Sequence, residues 1–264
     1  MNPAGAGSRQ PLADAGAAAA PYDAIAVPYQ RSRESPIRRY IESYSFLGLL
    51  GDVRDRSVLD LACGEGFYTR RIHRRGARRV LGVDISAAMI RLAREQLEEG
   101  SAQPEYLVCD VQDLPDLGSF DIATAAYLLH YARDVGELGR MCRSIARQLP
   151  PGGRLVAINE NPGQPEAGYA GYLRYGFSKS VAAPRGEGSP ITYAMISGRE
   201  LFRFVVYYYE RATYEAALAA AGFSEVRWHP LQLDPAGLAA MGAEYWSEYL
   251  ANPPVVGLTA RRTG

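Results

Sequence analysis

Acidic side chains and glycines stand at spacings that suggest a ligand site. VLDLACGEGFYTRR, Val58 to Arg71, reads as an apolar strand running into Gly64-Glu65-Gly66 and then into a helix. Glycines at such a turn let the backbone bend sharply and lie close to a ligand, and the start of the helix offers unpaired N–H groups. Asp84 closes a second apolar run, LGVD, twenty positions beyond Gly64. A carboxylate there can accept hydrogen bonds from ribose hydroxyls. Cys109-Asp110-Val111 ends a third run and sets another carboxylate beside the same crevice, able to accept from an adenine amino group. A single GxG, or a single Asp after a strand, is as readily a turn or a helix cap. All three in order, at successive strand ends, point to a nucleoside-bearing ligand. A dinucleotide suits less well, because the third glycine of GxGxxG is Thr69 here. Asp60, at the carboxyl edge of the first strand, would also repel a pyrophosphate and suits a cationic portion of a ligand.

These residues need a sheet to hold them, and the apolar runs supply one. Runs at 57–61, 79–83, 105–109, 120–126 and 154–158 read as strands. Helical patterns at 66–75, 86–99 (capped by Ser86) and 135–149 separate them, the last stopped by Pro150-Pro151-Gly152-Gly153. Such alternation predicts a parallel sheet with helices on both faces. Ahead of it, Pro36 opens a helix, PIRRYIESYSFLGLL. Beyond 160 the pattern breaks: 161–200 is rich in Gly, Pro and Tyr with no clear helix. Strands are expected at 191–196 and 201–209, joined by a turn at Ser197-Gly198. A helix ended by Gly222, a strand at 225–233, a helix over 235–250 and a strand at 255–260 close the chain. The expected organisation is a disordered tail over 1–21 and one domain over 22–264, with 161–210 inserted after the fifth strand.

Composition narrows the classes. The chain has 264 residues, 47% hydrophobic, enough for one large domain. Basic and acidic residues balance at 29 each, so the excess expected of a nucleic-acid or membrane-surface protein is missing. Lys179 is the single lysine. Cys63, Cys109 and Cys142 show no metal-ligand spacing and read as reduced thiols of a cytoplasmic protein. Apolar runs fall short of the ~20 residues that span a bilayer, and the Ala/Gly/Pro-rich start lacks a leader's apolar core. No metal site is expected.

DLACGEG resembles the first motif of class I S-adenosylmethionine-dependent methyltransferases. The likeness continues through Asp84, Asp110-Val111, FDIATAAYLLHY (120–131) and LPPGGRLV (149–156). It implies a Rossmann-like α/β fold: seven strands, mostly parallel, the last antiparallel. It implies S-adenosylmethionine as cofactor, with its methionine end near Asp60, Ala62, Gly64 and Gly66. Ribose is expected at Asp84 and adenine at Asp110-Val111, with Ile85, Met89 and Ala126 as further cofactor contacts. The flanks, YDAIAVPY (22–29), YERATYEAALAAAGFSEVRWHP, EYWSEYL and NPPVVGL, are similar to toxoflavin-synthase-like methyltransferases, which N-methylate a planar ring. Tyr22 and Tyr29 resemble tyrosines that fold over the cofactor in related enzymes, and Arg38 or Arg39 is a candidate for its carboxylate.

The resemblance puts the acceptor after the fourth strand. Tyr127 is expected to line the methyl channel, and His130, with an ordinary pKa near ~6.5, is the candidate base. A structural His hydrogen-bonded to a loop is the other reading. Tyr175, Tyr207 and Tyr209 are candidates to cover the acceptor. Asn252-Pro253-Pro254 reads as a turn. The function expected is methyl transfer to a small flat heteroaromatic metabolite, on nitrogen, with a phenol or acid oxygen or a peptide acceptor as alternatives. A cofactor-binding regulator without turnover is the third class.

Overall fold

The computed structural model describes residues 35–97, 103–182, 184–197 and 200–264. A π-helical turn, Arg38–Glu42, leads into α1 (Ser43–Leu50). Five strands then alternate with helices: β1 (Ser57–Leu61), β2 (Arg79–Asp84), β3 (Glu105–Val108), β4 (Ile122–Ala126) and β5 (Arg154–Glu160). Between them run α2 (Phe67–Arg74), α3 (Ala87–Glu95) and α4 (Val135–Arg147). Every residue of β1 and β4 is buried, as expected of parallel strands covered on both faces. Their polar exceptions satisfy each other: the Thr124 hydroxyl donates to Asp60 Oδ1 at 2.7 Å. Ser86 caps α3 by accepting from the Met89 N–H at 3.1 Å, so the helix begins where the sequence places it.

The chain closes with α5 (Arg211–Ala220), β9 (Phe223–His229), α6 (Pro235–Met241), α7 (Ala243–Ala251) and β10 (Val255–Arg262). β10 inserts antiparallel between β5 and β9, giving a seven-stranded sheet of order β3-β2-β1-β4-β5-β10-β9. This is the expected Rossmann-like architecture. The strand order reverses between β1 and β4, and ligands of open α/β sheets bind outside the carboxyl ends at that switch point. The expected helix over 235–250 is two helices, broken at Gly242, whose φ of +78° ends the first.

Residues 161–210 are more ordered than their composition suggests. β6 (Phe177–Val181), unforeseen in the sequence, pairs antiparallel with β7 (Pro190–Ser197), which pairs with β8 (Glu200–Tyr207). Residues 198 and 199, in the expected turn, lie outside the described residues, as does the 1–21 tail. This second sheet spans the carboxyl edge of the first. Phe177, Tyr193 and Val206 share a core with Ile37, Ile41, Trp246 and Tyr249. At its far corner Phe202 packs on Met89 of α3. Among the described residues no helix is long and apolar enough to cross a membrane.

Candidate active site

The turn after β1 carries the first half of the site. Ala62, Gly64 and Gly66 have φ of +52°, +57° and +80°. A left-handed alanine is strained, and such strain gathers at ligand sites. The Gly64 N–H donates to Asp84 Oδ2 at 2.8 Å, and the Ser86 N–H to Oδ1 at 2.9 Å. Two sequence-predicted residues thus meet directly. Asp110, at the tip of β3, accepts the Gln112 N–H at 2.9 Å through Oδ1. Val111 follows it, buried.

Other expected cofactor contacts take different roles. Gly66 makes room for protein, since a Cβ there would lie 2.3 Å from the Tyr106 hydroxyl oxygen. Asp60 is 1% exposed and accepts from the Thr69 and Thr124 hydroxyls at 2.6 and 2.7 Å. It ties β1 to α2 and β4. Met89 is buried against Phe202, Ala126 is buried and Ile85 half-buried. Burial, then Asp84 and Asp60, push the Cys63 thiol well up, so it stays protonated beside this loop. Tyr22 and Tyr29 lie outside the described residues.

A cavity of about 580 Å³, counted to its open mouth, adjoins the carboxyl end of β4. Arg38 and Glu42 line it from the π-helical turn, and Tyr127, His130 and Tyr131 from the segment after β4. Tyr175, Phe177 and Tyr193 wall it from the insertion. Pro254 and Val255 also line it, so the expected Asn252-Pro253-Pro254 turn is part of the cavity wall. Asn252 Nδ2 fastens it to the insertion by donating to the Gly168 carbonyl at 2.7 Å. Tyr127 has φ +66° and a buried hydroxyl with no hydrogen-bond partner. Burial, then Glu42, raise that hydroxyl's pKa.

His130 is 2% exposed, and its Nδ1 accepts the Glu160 N–H at 2.9 Å. Burial first and Lys179 second hold its pKa down to about 3. The neutral ring therefore carries its proton on Nε2, and the free nitrogen is already spent on the backbone. In this geometry His130 is a hydrogen-bond donor, and the sequence-based role of base does not suit it.

The structure does not bring Tyr207 and Tyr209 to the cavity. β8 ends at Tyr207, so the strand alternation stops there. Tyr209 instead donates to the Ala132 carbonyl at 2.9 Å and packs edge-on to Tyr214. Tyr207 packs on the same side, against the core beneath α4 and α5. Sequence reasoning missed Glu42, although it stands four residues after Arg38 on one helix.

Residues 58–153 match the family described as methyltransferase domain. The chain is 34% identical over 183 residues to N-demethylindolmycin N-methyltransferase of Streptomyces griseus, covering 68% of this chain and 74% of that protein. It belongs to the S-adenosylmethionine-dependent methyltransferases. Ubiquinone biosynthesis O-methyltransferase of Xanthomonas oryzae pv. oryzae is 35% identical over 115 residues, 42% of this chain; the chain spans about half (46%) of that protein. The S-adenosylmethionine dependent methyltransferase from Mesorhizobium loti shares the fold at TM-score 0.60 and 24% identity, over 88% of this chain and 100% of that one. The site fits the methyltransferase cofactor. The Gly64 turn, Asp84 and Asp110 follow one another along the crevice.

Proposed function

We propose that this methyltransferase methylates a nitrogen of a small, flat heteroaromatic metabolite, as in secondary metabolism. The observation that carries the reading is the cavity beside β4. Tyr175, Phe177 and Tyr193 line it, and an aromatic wall suits a flat ring, which it can meet edge-to-face. The likeness to N-demethylindolmycin N-methyltransferase supports nitrogen, and the flank resemblance to toxoflavin-synthase-like enzymes supports a planar ring. Residues 22–264 act as one domain in the cytoplasm, with 161–210 as the cover.

When bound, the cofactor supplies a methyl group made electrophilic by its sulfonium. The protein's part is to hold and orient. The Gly64 backbone and Arg38 take the methionine end, Asp84 the ribose, and Asp110 with Val111 the adenine. The His130 Nε2–H donates to an acceptor heteroatom and fixes the ring in its plane. The insertion excludes water. Proximity and orientation of this kind are worth up to ~7–11 kcal/mol. A panel of purines, pteridine-like rings, phenols, carboxylic acids and aliphatic amines, with product mass and methyl position determined, tests the proposal. N-methylated heteroaromatics are the expected products. Turnover confined to acids or aliphatic amines would overturn it.

A further inference from the structure

The polar end of the cavity holds buried oxygens that the fold does not use. Glu42 is 7% exposed, yet its Oε2 makes no hydrogen bond. The nearest cationic atom is Arg38 Nε at 3.8 Å, beyond hydrogen-bond reach. The Tyr127 and Tyr249 hydroxyls, also buried, have no hydrogen-bond partner either. These groups lie together: after burial itself, the Glu42 charge is the largest influence raising the pKa of both tyrosines. A buried polar group left unmatched is costly to a fold, and an ionised one more so. Glu42 and Tyr127 both line the cavity, where a ligand can match them. Glu42 is the one carboxylate among the described residues lining the cavity. It closes the π-helical turn Arg38–Glu42, a geometry frequent at functional sites.

We propose that Glu42 is the acceptor-recognising carboxylate of this enzyme, its Oε2 taking a hydrogen bond from the N–H of the nitrogen that is methylated. This rests on the proposed function above and sharpens it. A carboxylate at that place attracts an amine or ring N–H and repels a phenolate or carboxylate acceptor. It also lies where a proton must go. As the new nitrogen–carbon bond forms and the carbon–sulfur bond breaks, the bonding pair stays on sulfur, and the nitrogen's proton passes to the carboxylate and on to solvent.

The placement is testable before the acceptor is known. Sinefungin carries an amine-bearing carbon in place of the methylated sulfonium, so its ammonium stands in for an acceptor's N–H. S-adenosylhomocysteine has the same amino-acid and nucleoside ends and lacks that amine. Calorimetry with the wild-type protein should show sinefungin binding roughly tenfold or more tighter than S-adenosylhomocysteine. In Glu42→Gln the preference should fall to within about twofold, with S-adenosylhomocysteine affinity unchanged. Glu42→Asp, which keeps the charge, should keep part of the preference and guards against misfolding of the amide variant. Equal weakening of both ligands would show Glu42 acting only through Arg38 on the shared amino-acid end, and would overturn the proposal. So would the absence of a preference in the wild type. Failure of S-adenosylhomocysteine to bind the wild type would instead defeat the cofactor assignment. Turnover of phenols alone would defeat the nitrogen reading without touching the binding result that places the carboxylate.

Discussion

Two buried glutamates border the same insertion, and the fold treats them in opposite ways. Glu160, at the end of β5, is matched on both oxygens. Lys179 pairs with Oε1, the Tyr193 hydroxyl donates to Oε2 at 2.5 Å, and Lys179 also donates to Gln164 Oε1 at 2.5 Å. The Lys179 ammonium further lies 4.1 Å from the centre of the Tyr169 ring. Burial lowers the Lys179 pKa and Glu160 opposes the change. Glu42 has the Arg38 Nε at 3.8 Å and no hydrogen bond to its Oε2. The first cluster is finished, and it fastens β6 to the main sheet. The second is finished only by a ligand.

The largest expected effect breaks the finished cluster. Lys179→Met strands the Glu160 carboxylate in the interior, and losing one partner of a buried pair typically costs about 3–5 kcal/mol. Urea unfolding should register that loss, and Glu160→Gln in the same chain should restore more than half of it. A single variant as stable as wild type would mean that the pair contributes nothing.

Second in size is Asp84, which accepts two backbone N–H groups. Asp84→Ala should weaken S-adenosylhomocysteine binding by roughly 1–3 kcal/mol, read by calorimetry. An unchanged constant would remove Asp84 from the crevice.

Next in size is a pH effect. His130 holds its proton only below about pH 3 in the folded chain, against ~6.5 when unfolded. Its contribution is complete above pH ~6.5 and is lost as pH falls toward 3, because the unfolded chain then binds a proton that the folded chain refuses. The slope reaches about 1.4 kcal/mol per pH unit. Comparing wild type with His130→Asn in urea at two pH values on either side of 6.5 isolates it. Parallel curves would show the ring titrating normally.

The smallest effect falls on the unfinished cluster. Glu42→Gln removes a buried charge whose Oε2 makes no hydrogen bond, so unfolding stability should hold or rise. A loss as large as that of Lys179→Met would erase the contrast between the two glutamates.

The crevice at the strand ends was legible because it is local. Gly64, Asp84 and Asp110 each follow an apolar strand, and strand ends converge whatever surrounds them. The acceptor half depends on distant contacts. β6 escaped notice because Lys179 occupies the inward position between Phe177 and Val181, so the period of two reads as polar. The role of His130 hangs on an N–H from the end of another strand, Glu160. Glu42 looked like the solvated side of a helix, since nothing nearby in the chain shows that this side packs under the insertion. Tyr209 was misplaced by one geometric fact, the end of β8 at Tyr207. The single helix expected over 235–250 hid a break that Gly242 alone reveals.

The chain's single lysine is the ammonium of the finished cluster, its side chain wholly shielded from water. Apart from the amino terminus, the native protein therefore offers acylating reagents no primary amine. Any ε-amine adduct found by mass spectrometry must have formed while β6 was detached from the sheet. The rate of that one modification is a stopwatch for the opening of the insertion.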